Sequence, residues 1–194
     1  KFYSEALQLS TAMTVILPQN TQSQIGLENV SRAGKHQTLY LLHGLSDDHS
    51  IWLRRTSIER YAAPLGIAVV MPAAHRSFYT DMVFGGSYET FIAEELPRIA
   101  RSFFPLSERR EDNSIAGLSM GGYGAFKLAL NYPERYCAAA SLSGALNLAD
   151  HVEDPDDWIK QDFINIFGAN PSIKGTRHDL CFALKRLKAE GKFI

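Results

Sequence analysis

Short runs of consecutive apolar residues alternate with longer stretches whose apolar positions recur every three or four residues. Runs of the first kind read as strands buried on both faces, and stretches of the second kind as amphipathic helices. Their alternation predicts an α/β protein with a mostly parallel sheet and helices on both faces. Strands are expected at residues 11–17, stopped by Pro18; at 37–42; at 67–71, ended by Pro72; at 113–116; and at 137–143. The alanines of the last run suit a helix equally well, and its place after Tyr132-Pro133-Glu134-Arg135 favours a strand. Helices are expected at about 57–63, 88–102, 122–130 and 179–190, the last ending at Gly191 in the position glycine commonly takes after a helix. Residues 19–35 read as loop with room for one short strand. Residues 146–174, acidic and then aromatic with Trp158, Phe163 and Phe167, predict short helices over the sheet edge. Lys192-Phe193-Ile194 opens what reads as a further strand. Neither an internal repeat nor a low-complexity segment divides residues 1–194, so one domain is expected.

Composition narrows the partners. A chain of 194 residues with 45% hydrophobic content can build one full core. Its 20 basic and 21 acidic residues are dispersed and leave a net charge of −1, so neither a nucleic acid nor an anionic membrane surface is indicated. No stretch approaches the ~20 apolar residues that span a bilayer. The opening Lys1-Phe2-Tyr3-Ser4-Glu5-Ala6 is not a signal peptide, which points to the cytoplasm, although the missing initiator Met is compatible with a leader already removed. Cys137 and Cys181 lie among apolar residues without metal-ligand spacing and read as buried free thiols of a reducing compartment. No metal and no cofactor is called for.

One motif carries chemistry. Gly117-Leu118-Ser119-Met120-Gly121 sits where an apolar run meets an amphipathic helix, the build of a nucleophile elbow. A strand turning sharply into a helix strains its central residue and crowds the positions two away on either side, where only small residues fit. The bare GxSxG pattern is weak; its coincidence with strand, turn and helix is what gives it weight. A serine hydroxyl then needs donors for the oxyanion and a base for its proton. The elbow supplies the Met120 N–H, and the strand ending in His43-Gly44-Leu45 supplies the Leu45 N–H as second donor. His43 precedes the serine and sits in this turn, so it reads as structural. In the α/β-hydrolase order the acid and then the base follow the serine. Only His151 and His178 follow Ser119, and each reads more simply as a solvated surface histidine. Trp52, Phe78, Tyr79, Phe84 and Trp158 are candidates for the acyl pocket, with a plain packing role as the simpler reading of each.

Three segments, YLLHGLSDDHSIW, RSFYTDMVFGGSYETFIAEELP and IAGLSMGGYGAFKLAL, resemble the esterase D and S-formylglutathione hydrolase family, nearest its bacterial tributyrin-esterase branch. The similarity spans nearly the whole chain. It implies the α/β-hydrolase fold and a cofactor-free serine carboxylesterase for short acyl esters, with Ser119 as nucleophile and the Leu45 and Met120 amides as oxyanion hole. It leaves a homo-oligomer open. It also implies a catalytic Asp and His on strands that would follow Ile194, so the domain reads as incomplete at its C-terminus. An acyltransferase or S-formylglutathione-type thioesterase would use the same site. A chain truly ending at Ile194 would instead be a shortened enzyme with a rewired triad or a non-catalytic hydrolase-like scaffold.

Overall fold

The computed structural model describes residues 1–21, 24–26, 29–31 and 33–192. The strand expected at the C-terminus falls on Phe193 and Ile194, outside the described residues, as does part of the loop expected at 19–35. A two-stranded hairpin, β1 (Phe2–Ser4) and β2 (Leu9–Thr11), precedes a five-stranded sheet. The sheet comprises β3 (Met13–Ile16), β4 (Thr38–Leu42), β5 (Ala68–Pro72), β6 (Asn113–Leu118) and β7 (Ala138–Leu142), in the order β3-β5-β4-β6-β7. Strand β3 is antiparallel to β5, and the other neighbours are parallel.

The strand order locates the site. From β4 the chain moves to β5 on one side, then crosses back to build β6 on the other, so the direction of winding reverses between β4 and β6. In open α/β sheets a crevice forms beyond the carboxyl ends of the strands at such a reversal. Leu42 stands opposite Gly117, so the residues after both strands emerge side by side. Right-handed crossovers send the helices between β4 and β5, α1 (Ile51–Arg55) and α2 (Ile58–Ala62), to one face. They send α3 (Tyr88–Thr90), α4 (Leu96–Phe103) and α5 (Met120–Asn131) to the other. The core divides accordingly. Leu41, Val69, Met71 and Ala116 meet Trp52 and Ile58 on the first face, while Leu42, Val70, Ile115, Phe91, Leu96 and Leu128 belong to the larger cluster on the second.

Several expected elements are revised. The strand expected at 11–17 is split, with Thr11 ending β2 and the sheet strand beginning at Met13. Three-residue strands are too short to show a period of two, and α1 was likewise missed. The helix over 88–102 contains a π turn at Phe91–Glu95. Pro97 has no N–H for the Ala93 carbonyl four residues earlier, and the Arg135 guanidinium donates to that carbonyl instead. The helices in 146–174, α6 (Leu148–Glu153) and α7 (Asp157–Phe167), do not cover the sheet edge: their residues flank the crevice next to Ser119. Edge strand β7 keeps Leu142 exposed and, with α5 and α8 (Leu180–Ala189), lines an open apolar groove. Both cysteines line it. Cys137 is half-buried and Cys181 exposed, which corrects the expectation of buried thiols.

Candidate active site

The two motif glycines are explained by contact geometry. A Cβ on Gly117 would lie 2.3 Å from the carbonyl carbon and oxygen of Gly121, and one on Gly121 would lie 2.5 Å from the Leu42 carbonyl oxygen. Strand, turn and helix are therefore packed backbone to backbone, and the residue between is forced into an uncommon conformation: Ser119 has φ 55° and ψ −117°. It is held there at both ends. Its N–H donates to the Leu142 carbonyl at 2.9 Å, and its carbonyl accepts the Tyr123 N–H at 3.1 Å.

The turn after β4 lies against this elbow. A Cβ built on Gly44 would stand 3.7 Å from the Ser119 Cβ, and Leu45, Ser119 and Met120 line one cavity. The turn itself is braced by buried polar groups. Fully buried His43 accepts the Ala74 N–H on Nε2 at 2.9 Å, which leaves its proton on Nδ1 to donate to the Gly44 carbonyl at 2.7 Å. Burial depresses its pKa, and accepting the Ala74 N–H on Nε2 requires the neutral ring. The His43 carbonyl accepts from the Tyr79 hydroxyl at 2.9 Å, and the Leu42 carbonyl from the Trp52 indole at 3.2 Å. Among the described residues neither the Leu45 nor the Met120 amide donates to a protein carbonyl, so both remain able to meet a developing negative charge.

The cavity is small, about 150 Å³, and mostly apolar, lined beside Ser119 by Phe78, Leu148, Trp158, Ile159 and Phe163. Of the aromatic candidates, Phe78 and Trp158 reach it, whereas Tyr79 is fully buried and Phe84 is exposed away from it. The two downstream histidines part company. His151 is exposed yet lines this cavity, while His178 is half-buried against Phe167, with ring centroids 5.6 Å apart, and does not line it. Burial first, then the Lys127 and Arg177 cations, push the His178 pKa down to about 3. Among the described residues no histidine is hydrogen-bonded to the Ser119 hydroxyl, and no group of three His, Cys, Asp or Glu side chains is placed to hold a metal.

One feature beside the site escaped the sequence reading. Lys127, on the buried side of α5, is fully enclosed; its ammonium meets Glu89 Oε2 at 2.7 Å, Thr80 Oγ1 at 2.7 Å and the Tyr79 carbonyl at 2.9 Å. Arg177 lies 2.5 Å from the same carboxylate. The only signal was a lone lysine among the small and apolar residues 122–130.

Comparison with known proteins agrees with this geometry. A family model described as putative esterase matches residues 4–189. An acetyl esterase of Caldicellulosiruptor saccharolyticus is 32% identical over 200 residues, 97% of this chain and 73% of that protein. An S-formylglutathione hydrolase of Paracoccus denitrificans is 28% identical over 186 residues, covering 84% of this chain and 64% of its own length. The substrate-bound structure of a fluorophosphonate-binding serine hydrolase from Staphylococcus aureus superposes with TM-score 0.85 at 38% identity, over 98% of this chain and 72% of that one. The match runs through the elbow, the turn after β4 and the helices flanking the crevice, and the chain belongs to the esterase family, serine hydrolases of carboxylic esters with the α/β-hydrolase fold.

Proposed function

We propose that Ser119 is the nucleophile of a carboxylesterase for short acyl esters, with the Leu45 and Met120 amides forming its oxyanion hole. The observation that carries this reading is the convergence of the strained Ser119, the Gly44 turn and the two amides at one apolar cavity. In this reading the hydroxyl oxygen attacks the ester carbonyl, its proton passes to a base, and the carbonyl oxygen takes the negative charge between the two N–H groups. The alcohol then leaves with a proton, and water releases the acid by the reverse sequence. The short acyl chain is supported by the size of the cavity. The alcohol side is the groove beyond Leu45, about 560 Å³, lined by Asp47, Arg76, Tyr88 and Asp162.

The reading takes the catalytic acid and base from residues outside 1–194, completing a single hydrolase domain in the cytoplasm. A fluorophosphonate probe applied to the native protein tests the assignment. Labelling on Ser119, with labelling and p-nitrophenyl acetate turnover both abolished by Ser119→Ala, is the expected result; an unmodified Ser119 in an active, labelled enzyme overturns it.

A further inference from the structure

The segment between β5 and α3 carries unusual backbone. His75, Phe78 and Tyr79 have φ of 48°, 47° and 53°, conformations that residues with bulky side chains seldom adopt. All three border the site: His75 lines the groove beyond Leu45, Phe78 lines the cavity, and the Tyr79 hydroxyl holds the carbonyl of His43, two residues before the Leu45 amide. A turn of this kind persists only where its surroundings over-determine it. Its surroundings are unequal. Within the turn there are three local bonds, from the Tyr79 N–H to Ser77 Oγ, from the Thr80 N–H to the Ser77 carbonyl and from Thr80 Oγ1 to the Phe78 carbonyl. From outside, the Lys127 ammonium takes both the Tyr79 carbonyl and Thr80 Oγ1. The face of α5 that carries Lys127 also carries Gly124, where a Cβ would lie 2.4 Å from the Tyr79 ring, so the ring rests on helix backbone. Glu89 of α3, paired with both Lys127 and Arg177, balances the buried ammonium.

We propose that Lys127 is a positioning residue for acyl transfer at Ser119: it fixes the left-handed Phe78-Tyr79 turn, and through the Tyr79 hydroxyl it holds the His43-Gly44-Leu45 turn with its amide aimed at the oxyanion. The inference rests on the assignment of Ser119 and Leu45 made above. It differs from a purely structural role in what it requires of the folded enzyme. A buried ion pair that only stabilises the fold changes how much protein is folded and leaves each folded active site as fast as before. A positioning residue lowers the rate of every folded site, and lowers kcat rather than raising KM, because the oxyanion contact strengthens in the transition state.

The test uses the full-length native protein and three variants, Lys127→Met, Tyr79→Phe and the double change. Rates are expressed per active site titrated with a fluorophosphonate. Each single change is expected to lower kcat about tenfold with KM within about twofold, a smaller loss than the roughly 100- to 1000-fold of deleting an oxyanion donor outright. Because Lys127 acts through Tyr79, the double variant should lose no more than the worse single one. Unchanged kcat per titrated site in Lys127→Met, or losses that multiply in the double variant, overturn the proposal. If Lys127→Met does not fold, Thr80→Val removes one acceptor of the ammonium and enters the same cycle: a reduced kcat that does not multiply with Tyr79→Phe supports the role, and an unchanged kcat overturns it. Ser119→Ala separates the two claims. Turnover surviving that change sinks the nucleophile assignment, whereas a dead Ser119→Ala beside multiplying Lys127 and Tyr79 losses sinks only the positioning role.

Discussion

Gly117 and Gly121 show how a short motif becomes a steric requirement. Between them the carbonyl of one strand end, the first turn of α5 and the strained serine occupy a space with no room for a methyl group. Gly117→Ala would push a carbon to 2.3 Å from backbone that is itself pinned between two strands, so the cost should exceed the ~1–3 kcal/mol of an ordinary overpacked core. The expected outcome is a large fall in Tm together with loss of esterase activity; thermal denaturation and p-nitrophenyl acetate hydrolysis would check it. Gly44 is different. Its nearest neighbours stand 3.6 and 3.7 Å from an added Cβ, ordinary contact distances, so Gly44→Ala should fold normally and lose activity only through crowding of the elbow. A normal Tm with reduced kcat would bear this out, and a Tm drop comparable to that of Gly117→Ala would count against it.

Between elements, the most consequential junction joins α5, α3 and the segment leading into α8. Tyr123 of α5 donates its hydroxyl to the His178 carbonyl at 2.9 Å, and Asn131 donates to the Arg177 carbonyl at 2.9 Å, so the chain before α8 is tied to the elbow helix by backbone acceptors. His178 is thereby drawn in beside two cations. Its pKa falls to about 3 in the folded protein, against about 6.5 in an unfolded chain. The folded state therefore binds fewer protons than the unfolded state between those values, and stability falls as the pH drops through that window. The contribution is complete above about pH 6.5 and lost on approach to pH 3, on the order of 5 kcal/mol. Denaturant midpoints taken from pH 7 to pH 4 should decline, and His178→Gln should flatten the decline; an unchanged slope would show that His178 is not the group responsible. Helix α8 itself is conventionally capped, with the Asp179 carboxylate accepting the Phe182 N–H at 3.1 Å and Gly191 at φ 68° after its end.

In the molecule as a whole, the cavity is assembled from four separated stretches: Leu45, Phe78, the elbow, and the helices α6 and α7. Its small volume makes acyl length the selective variable. Hydrolysis of p-nitrophenyl acetate and butyrate should exceed that of the octanoate by at least about tenfold in kcat/KM, since each misfitted methylene is worth roughly a factor of ten or more. Trp158 is two-thirds exposed at the mouth of the cavity, with a relative exposure of 66%, so its removal should cost little stability. Trp158→Ala should raise the octanoate rate relative to butyrate while leaving Tm nearly unchanged. A chain-length profile that is flat, or that ignores this substitution, would argue for a different acyl site.

The local chain dictated what local physics can dictate. Alternating apolar runs and amphipathic stretches specified the α/β class, because burial on two faces or on one stripe leaves a direct imprint on spacing. GxSxG at a strand-to-helix junction specified the elbow, because backbone crowding there tolerates only glycine. Short-range signals failed where the outcome depended on distant partners. Three-residue β1 and β2 exist through pairing with each other; Ala93 is satisfied by an arginine 42 residues away. The fate of Lys127 was set by Glu89, Thr80 and the Tyr79 carbonyl, none of them near it in sequence. Tertiary structure alone decided that a lone lysine in an apolar helix would be buried as a clamp. It likewise decided that the aromatic stretch after residue 146 would flank the crevice, because that depends on which surfaces meet once the strand order reverses between β4 and β6.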